Sequence, residues 1–175
     1  RRVAAHCRRW GIAIDTSAGQ PLLLTPPGAL ALALVEAMAE EFAPARLLAV
    51  LKHVLVRPDD AAFSASVRLA DIALRGVRPA PGLDGAGAGL DRWLHEKVGR
   101  YDRLAARLMG WWHDLAPALE ALDGLRVATA ITLPDLMQAL RGALGALAVG
   151  GAWAGPDGRQ LAALVAEIEL HGALF

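Results

Sequence analysis

The stretch that decides the fold runs from Pro26 to Leu55 and reads PPGALALALVEAMAEEFAPARLLAVLKHVL. Its first half places a large apolar side chain at every fourth position: Leu30, Leu34, Met38 and Phe42. This spacing puts the side chains on one face of an α-helix. Proline is tolerated in a first helical turn, so Pro26 opens this helix and Pro44 begins a second one, whose apolar pattern continues to Leu55.

Helical patterns continue through most of the chain. Asp59 and Asp60 are N-cap candidates for a third helix that reaches about Arg75. A long helix is predicted from about Leu90 to Ala116, roughly 40 Å at 1.5 Å per residue. Two further helices follow, and Thr132 opens the first of them with a signal that resembles a capping box.

One short β-type run, Ile12-Ala13-Ile14, follows a short helix over residues 1–10 that Gly11 ends. A single strand cannot satisfy its own backbone hydrogen bonds, so we expect its partners to lie outside this chain. The predicted fold class is therefore all-α: an irregular bundle of about six to seven helices with one short orphan strand near residues 12–14.

The Pro- and Gly-rich stretch 77–89 predicts a linker between two helical parts, residues 26–76 and 90–175. Its Gly85-Ala86-Gly87-Ala88-Gly89 run lacks the preceding strand and the Lys that a phosphate-cradling loop requires. A flexible linker is the favoured interpretation of this run.

Composition and charge exclude several classes of protein. Acidic and basic side chains balance at 18 each, which argues against a dedicated nucleic-acid-coating domain but leaves room for a local patch. Cys7 is the one cysteine, so no disulfide can form within the chain, as suits a reducing cytoplasm. The uncharged stretch 16–35 contains three prolines and cannot be a membrane helix. We expect a cytoplasmic protein that does not contact a membrane.

Residue types that perform catalysis or bind metals do not form a recognisable motif. The five histidines are scattered, and Cys7 has no partner for a zinc site. The carboxylate pairs Glu40-Glu41 and Asp59-Asp60 could serve a two-metal nuclease, but a solvated helix face and a helix cap are the favoured interpretations. We predict no catalytic residue and no metal site in this chain.

The candidates for DNA contact are arginines of the first helix and one tryptophan: Arg1, Arg2, Arg8, Arg9 and Trp112. Arginine forks bind phosphate, although a solvated helix face is the simpler interpretation of the cluster. Aromatic faces stack on single-stranded bases. Because Trp111 continues the apolar stripe of the long helix, the sequence predicts Trp111 in the core and Trp112 at an interface.

Several segments stand in a fixed order that is more specific than their chemistry. They are Arg1-Arg2-Val3, Arg9-Trp10-Gly11-Ile12, Asp15, Ser17-Ala18-Gly19, Pro21-Leu22, Thr25-Pro26-Pro27-Gly28, Leu47-Leu48-Ala49-Val50-Leu51-Lys52-His53 and Trp153-Ala154-Gly155-Pro156-Asp157-Gly158-Arg159. This order resembles the central part of the AddB family in its alphaproteobacterial form, the second subunit of bacterial AddAB helicase–nucleases. The layout is more distantly similar to UvrD/Rep-like helicases. His53 continues as Val54-Leu55, where the family usually has Pro-Leu.

The resemblance implies a parent protein that processes DNA double-strand breaks for homologous recombination. Such a parent uses ATP, Mg²⁺ and an iron–sulfur cluster, works with an AddA-like helicase–nuclease subunit, and binds double- and single-stranded DNA. Residues 1–25 would be the edge of a RecA-like domain, and the helices after Pro26 would be the two parts of an inserted helical subdomain. No nucleotide-loop, nuclease or cluster-ligand motif is present, so no catalytic residue carries over.

A different class of function remains open. The chain could be a free-standing α-helical protein-interaction module without a nucleic-acid role. Its first residues, Arg1 to Ala5, have the pattern of a helix interior, and Leu174-Phe175 is apolar, so we expect a segment of a larger protein rather than such a module.

Overall fold

A computed structural model describes residues 6–7, 9–12, 19–97 and 102–172. Between Pro21 and Gly172, the described residues form eight α-helices: α1 Pro26–Ala39, α2 Pro44–Leu51, α3 Ala61–Ala73, α4 Gly82–Lys97, α5 Asp102–Leu115, α6 Glu120–Arg126, α7 Leu133–Ala148 and α8 Gly155–His171. Short 3₁₀ segments lie at Leu22–Leu24, Ala116–Ala118 and Gly151–Trp153. The predicted all-α class is confirmed.

Side-chain caps fix several helix starts where the sequence predicts them. The Thr25 hydroxyl accepts a hydrogen bond from the Gly28 N–H at the start of α1. The Asp60 carboxylate accepts one from the Phe63 N–H at 2.7 Å, which caps α3. Thr132 forms the predicted capping box at the start of α7. Each cap satisfies a backbone donor that the first helical turn leaves without a partner.

Helix α1 lies at the centre of the molecule. Leu30, Leu34 and Ala37 are fully buried, and α1 packs against α2, α6, α7 and α8. Helices α3, α4 and α5 pack against one another and join the rest through α2 and α6. One continuous hydrophobic core runs through both groups. The helices before and after residues 77–89 are therefore packed together.

The structure corrects the predicted linker and the predicted long helix. Helix α4 begins at Gly82, so residues 82–89 are helical and largely buried. A β-carbon added to Gly87 would lie 2.7 Å from Nε1 of Trp112, although a continuous helix would separate these residues by roughly 37 Å. Helices α4 and α5 therefore pack against each other. Glycine permits this close approach, and the pairing buries apolar side chains that one long helix would expose.

The predicted orphan strand lies mostly outside the described residues. Ile12 has no regular secondary structure, and Ala13 and Ile14 are not described. The N–H of Ile12 donates to the carbonyl of Cys7, and Gly11 has a positive φ of 69°, so Gly11 ends the first helix as predicted. Among the helices that the structure describes, none is long and apolar enough to cross a lipid bilayer.

Candidate functional site

The residues predicted to contact DNA are only partly described. Arg1, Arg2 and Arg8 lie outside the described residues. Arg9 is exposed at the end of the first helix. The predicted accessibility of Trp112 is wrong, because its side chain is only 5% exposed and packs in the core against α4. Burial of this large aromatic surface favours folding and leaves no free face for a base.

A cluster of basic side chains lies instead at the corner where α2 passes to α3. The corner surrounds an open cavity of about 400 Å³. Its lining residues are Leu51, Lys52, His53, Val54, Val56, Arg57, Pro58, Phe63, Ser64, Val67 and Arg68. Three of them are cationic, one is an imidazole and none is a carboxylate. We call this site the corner cavity.

Arg57 has an unusual environment in the corner cavity. Its guanidinium carbon lies 5.2 Å from the centroid of the Phe63 ring, in a cation–π contact. Its Nε–H is buried and has no hydrogen-bond partner among the described residues. An unpaired buried donor costs about 1–3 kcal/mol, and more when it is charged. The fold therefore retains a charged donor at this point at some expense in stability.

The backbone of Arg57 is also strained. Its φ is +43°, in the left-handed region that side chains with a β-carbon rarely occupy. Such conformations cost of order 1–3 kcal/mol and persist where the surrounding structure enforces them. Phe63, which supports Arg57, is 3% exposed and makes an edge contact at 5.9 Å with Trp111 of α5. The position of the Arg57 guanidinium is thus set by the packing of the loop after α2, of α3 and of α5.

Lys52 and Arg68 add positive charge on two other sides of the cavity. Lys52 donates a hydrogen bond to Asp71 at 2.8 Å, and Arg75 binds the same carboxylate. Hydrogen bonds from Arg75 and from Lys52 lower the pKa of the Asp71 carboxyl to about 2. Arg68 is exposed and makes no ion pair in the part of the chain that is described.

His53 completes the polar lining. Its Nδ1 accepts a hydrogen bond from the Leu55 N–H at 3.3 Å. Burial lowers the pKa of the His53 imidazole, which favours the neutral ring at neutral pH. With Nδ1 as the acceptor, the ring hydrogen resides on Nε2, which makes Nε2 a hydrogen-bond donor.

In each carboxylate pair that could suggest a nuclease, one member, Glu40 or Asp60, has a structural partner. Arg46 binds both Glu36 and Glu40, which joins α1 to α2, and Asp60 caps α3. Across the described ranges, no group of three or more His, Cys, Asp or Glu side chains is placed to hold a metal ion. Arg141 and Glu169 form a paired-fork ion pair between α7 and α8.

Comparison with known proteins identifies no relative. No protein-family model, no curated protein and no solved structure matches this chain.

The sequence predicted the arginine cluster of the first helix but missed the corner cavity. A usable signal was present, since Lys52, His53, Arg57 and Arg68 are four basic or imidazole residues within 17 positions around a helix break. The periodicity of α2 and α3 did not show that the loop between them turns these side chains toward one cavity.

Proposed function

We propose that this chain is a non-catalytic helical segment of a DNA double-strand break repair subunit similar to AddB. In this role it supports DNA end processing for homologous recombination by contacting the sugar–phosphate backbone. ATP, Mg²⁺ and the iron–sulfur cluster belong to other parts of the parent protein. The partner subunit is an AddA-like helicase–nuclease, and the complex acts in the cytoplasm.

The corner cavity is the observation that carries this proposal. Lys52 and His53 are the last two residues of the AddB-like segment 47–53, and both line the cavity. Arg57 and Arg68 contribute two further donors from the adjoining loop and from α3. A concave surface with several basic side chains and no lining carboxylate is suited to contact with phosphate oxygens.

The rest of the surface fits a supporting role in a larger assembly. The chain has no net charge, so electrostatic attraction to DNA is confined to local patches rather than spread over the molecule. Arg46 and Arg141 bridge helices and are already paired with carboxylates, and Arg126 pairs with Asp123 within α6. We therefore expect weak binding to DNA by this chain alone.

Binding of the 175-residue chain to DNA tests the proposal. Fluorescence anisotropy with labelled 15-nucleotide single- and double-stranded DNA should give dissociation constants of order 10⁻⁶ to 10⁻⁴ M that weaken steeply with salt. A peptide nucleic acid of the same sequence, which lacks phosphates, is the control and should not bind. ATP hydrolysis by the chain should not exceed that of buffer.

Two results would contradict the proposal. Failure to bind DNA even at low salt would favour the α-helical protein-interaction module. ATP turnover by the purified chain would contradict the non-catalytic role.

A further inference from the structure

We propose that the corner cavity is a phosphate-binding site that holds one phosphate group, with Arg57 and Arg68 as its principal donors. The identification of the DNA backbone as the source of that phosphate rests on the proposed function. The phosphate chemistry itself rests on the side chains of the cavity.

The charges of the lining residues favour an oxyanion. Lys52, Arg57 and Arg68 are positively charged at neutral pH, and none of the described lining residues is a carboxylate; Asp59 and Asp60 line a neighbouring cavity beside Arg57. Asp71 lies behind Lys52 and offsets part of its charge, whereas Arg57 and Arg68 form no ion pair in the described segments. The ligand is therefore an anion that binds mainly to the two arginines.

The arrangement of donors favours a tetrahedral anion over a planar one. Arg57 and His53 come from the loop after α2, and Arg68 comes from the third turn of α3. The Ser64 hydroxyl adds a fourth donor from the first turn of α3. A carboxylate offers two oxygens in one plane, while a phosphate offers oxygens in several directions and can be bound from several sides at once.

Arg57 is preorganised for this task. The Phe63 ring supports its guanidinium, which forms no ion pair with the described carboxylates. A fixed arginine fork loses little conformational entropy when it binds a phosphate. Val54, 66% exposed at the rim, offers an apolar surface against which a deoxyribose can lie.

The test measures binding of a 3′-fluorescein-labelled 15-nucleotide oligothymidylate to variants of the full 175-residue chain. Arg57→Ala and Arg68→Ala should each weaken binding roughly tenfold, since each removes a charge-assisted hydrogen bond. Asp71→Asn should tighten binding about two- to fivefold because Lys52 is released toward the cavity. Arg159→Ala removes an exposed arginine from α8, which does not line the cavity, and should change affinity less than about twofold.

A second variant of Arg57 shows whether weaker binding comes from the missing guanidinium or from a less stable fold. Arg57→Gly removes the guanidinium but also relieves the left-handed backbone, so it should unfold at a higher temperature than Arg57→Ala. Both variants should lose binding to the same extent. Binding by Arg57→Gly at the wild-type level would overturn the role of Arg57.

A second experiment uses inorganic phosphate as the ligand. At millimolar concentration it should raise the unfolding temperature of the wild type but not of Arg57→Gly, and it should displace the oligonucleotide. If phosphate binds in this Arg57-dependent way but the oligonucleotide does not, the phosphate site stands and the proposed function fails.

If the oligonucleotide binds equally to the wild type and to the Arg57 and Arg68 variants, the phosphate site is wrong while the proposed function stands. If neither probe binds the wild type, both proposals are wrong.

Discussion

Helix α1 and the corner between α2 and α3 differ in how their side chains contribute to the stability of the fold. Within α1, Leu30 and Leu34 are fully buried, a threonine caps the first turn, and no residue has a positive φ. In the corner, Arg57 has a strained backbone and a buried donor that finds no acceptor among the described residues, beside an open cavity. The comparison indicates that apolar spacing supplies stability in one region, while charged side chains are held at some cost in stability in the other.

The largest expected effect lies in α1. Leu34→Ala removes a fully buried side chain and leaves a cavity, so it should lower the free energy of unfolding by about 3 kcal/mol. Leu32→Ala, on the same helix but 39% exposed, is the control and should cost less than about 1 kcal/mol. Urea denaturation followed by circular dichroism measures both. Equal losses would show that α1 is not the centre of the core.

A smaller effect on the free energy of unfolding is expected at Asp60, where the loop of the corner ends and α3 begins. Asp60→Ala removes the carboxylate that caps the Phe63 N–H, so the free energy of unfolding should fall by about 1 kcal/mol. Asp59→Ala changes the neighbouring exposed residue and should stay within about 0.5 kcal/mol of wild type. The same denaturation experiment applies. If the two variants are equally stable, the cap does not stabilise α3 and the corner is looser than described.

The smallest expected effect is on the pH dependence of stability. It comes from the ion pairs that Asp71 forms with Lys52 and Arg75. The folded chain lowers the pKa of the Asp71 carboxyl from 3.8 to about 2, so the ionised form stabilises the fold. That contribution is fully present above about pH 4 and is lost as the pH falls toward 2. The difference in stability between wild type and Asp71→Asn should therefore narrow over this range.

Urea denaturation of wild type and Asp71→Asn at several pH values between 5 and 2 gives the free energies of unfolding that measure this narrowing. Asp114→Asn removes an exposed carboxylate that forms no ion pair within the described ranges, and it serves as the control. A gap between wild type and Asp71→Asn that stays constant down to pH 2 would show that the ion pairs do not contribute to stability.

Local chemistry made much of the fold predictable. Thr25, Asp60 and Thr132 act as caps because their side chains satisfy donors only three residues away. The linker prediction failed at Gly85 and Gly87, since glycine also permits close packing: a β-carbon at Gly85 would overlap the backbone of Ala80, and one at Gly87 would crowd Trp112 of α5. The sequence alone gave no means to choose between these two uses of glycine.

Trp111 and Trp112 show that the sequence pattern also failed to decide which of two adjacent side chains is buried. The apolar stripe placed Trp111 in the core, but Trp112 is the more buried of the two because α4 packs on that side of α5. Likewise, the basic residues of the corner are spread over 17 positions, and no periodicity brings them together. Which side of a helix is covered depends on its neighbours.

The sequence by itself determined the helical class, the start of α1 at Pro26, the caps that begin α3 and α7, and the apolar face of the central helix. These follow from interactions over three or four residues, which a linear pattern records. Only the tertiary structure decided that α4 and α5 pack face to face and that four basic or imidazole side chains line one cavity. Those features depend on how loops turn and how helices pack, over separations longer than the three or four residues that local spacing specifies.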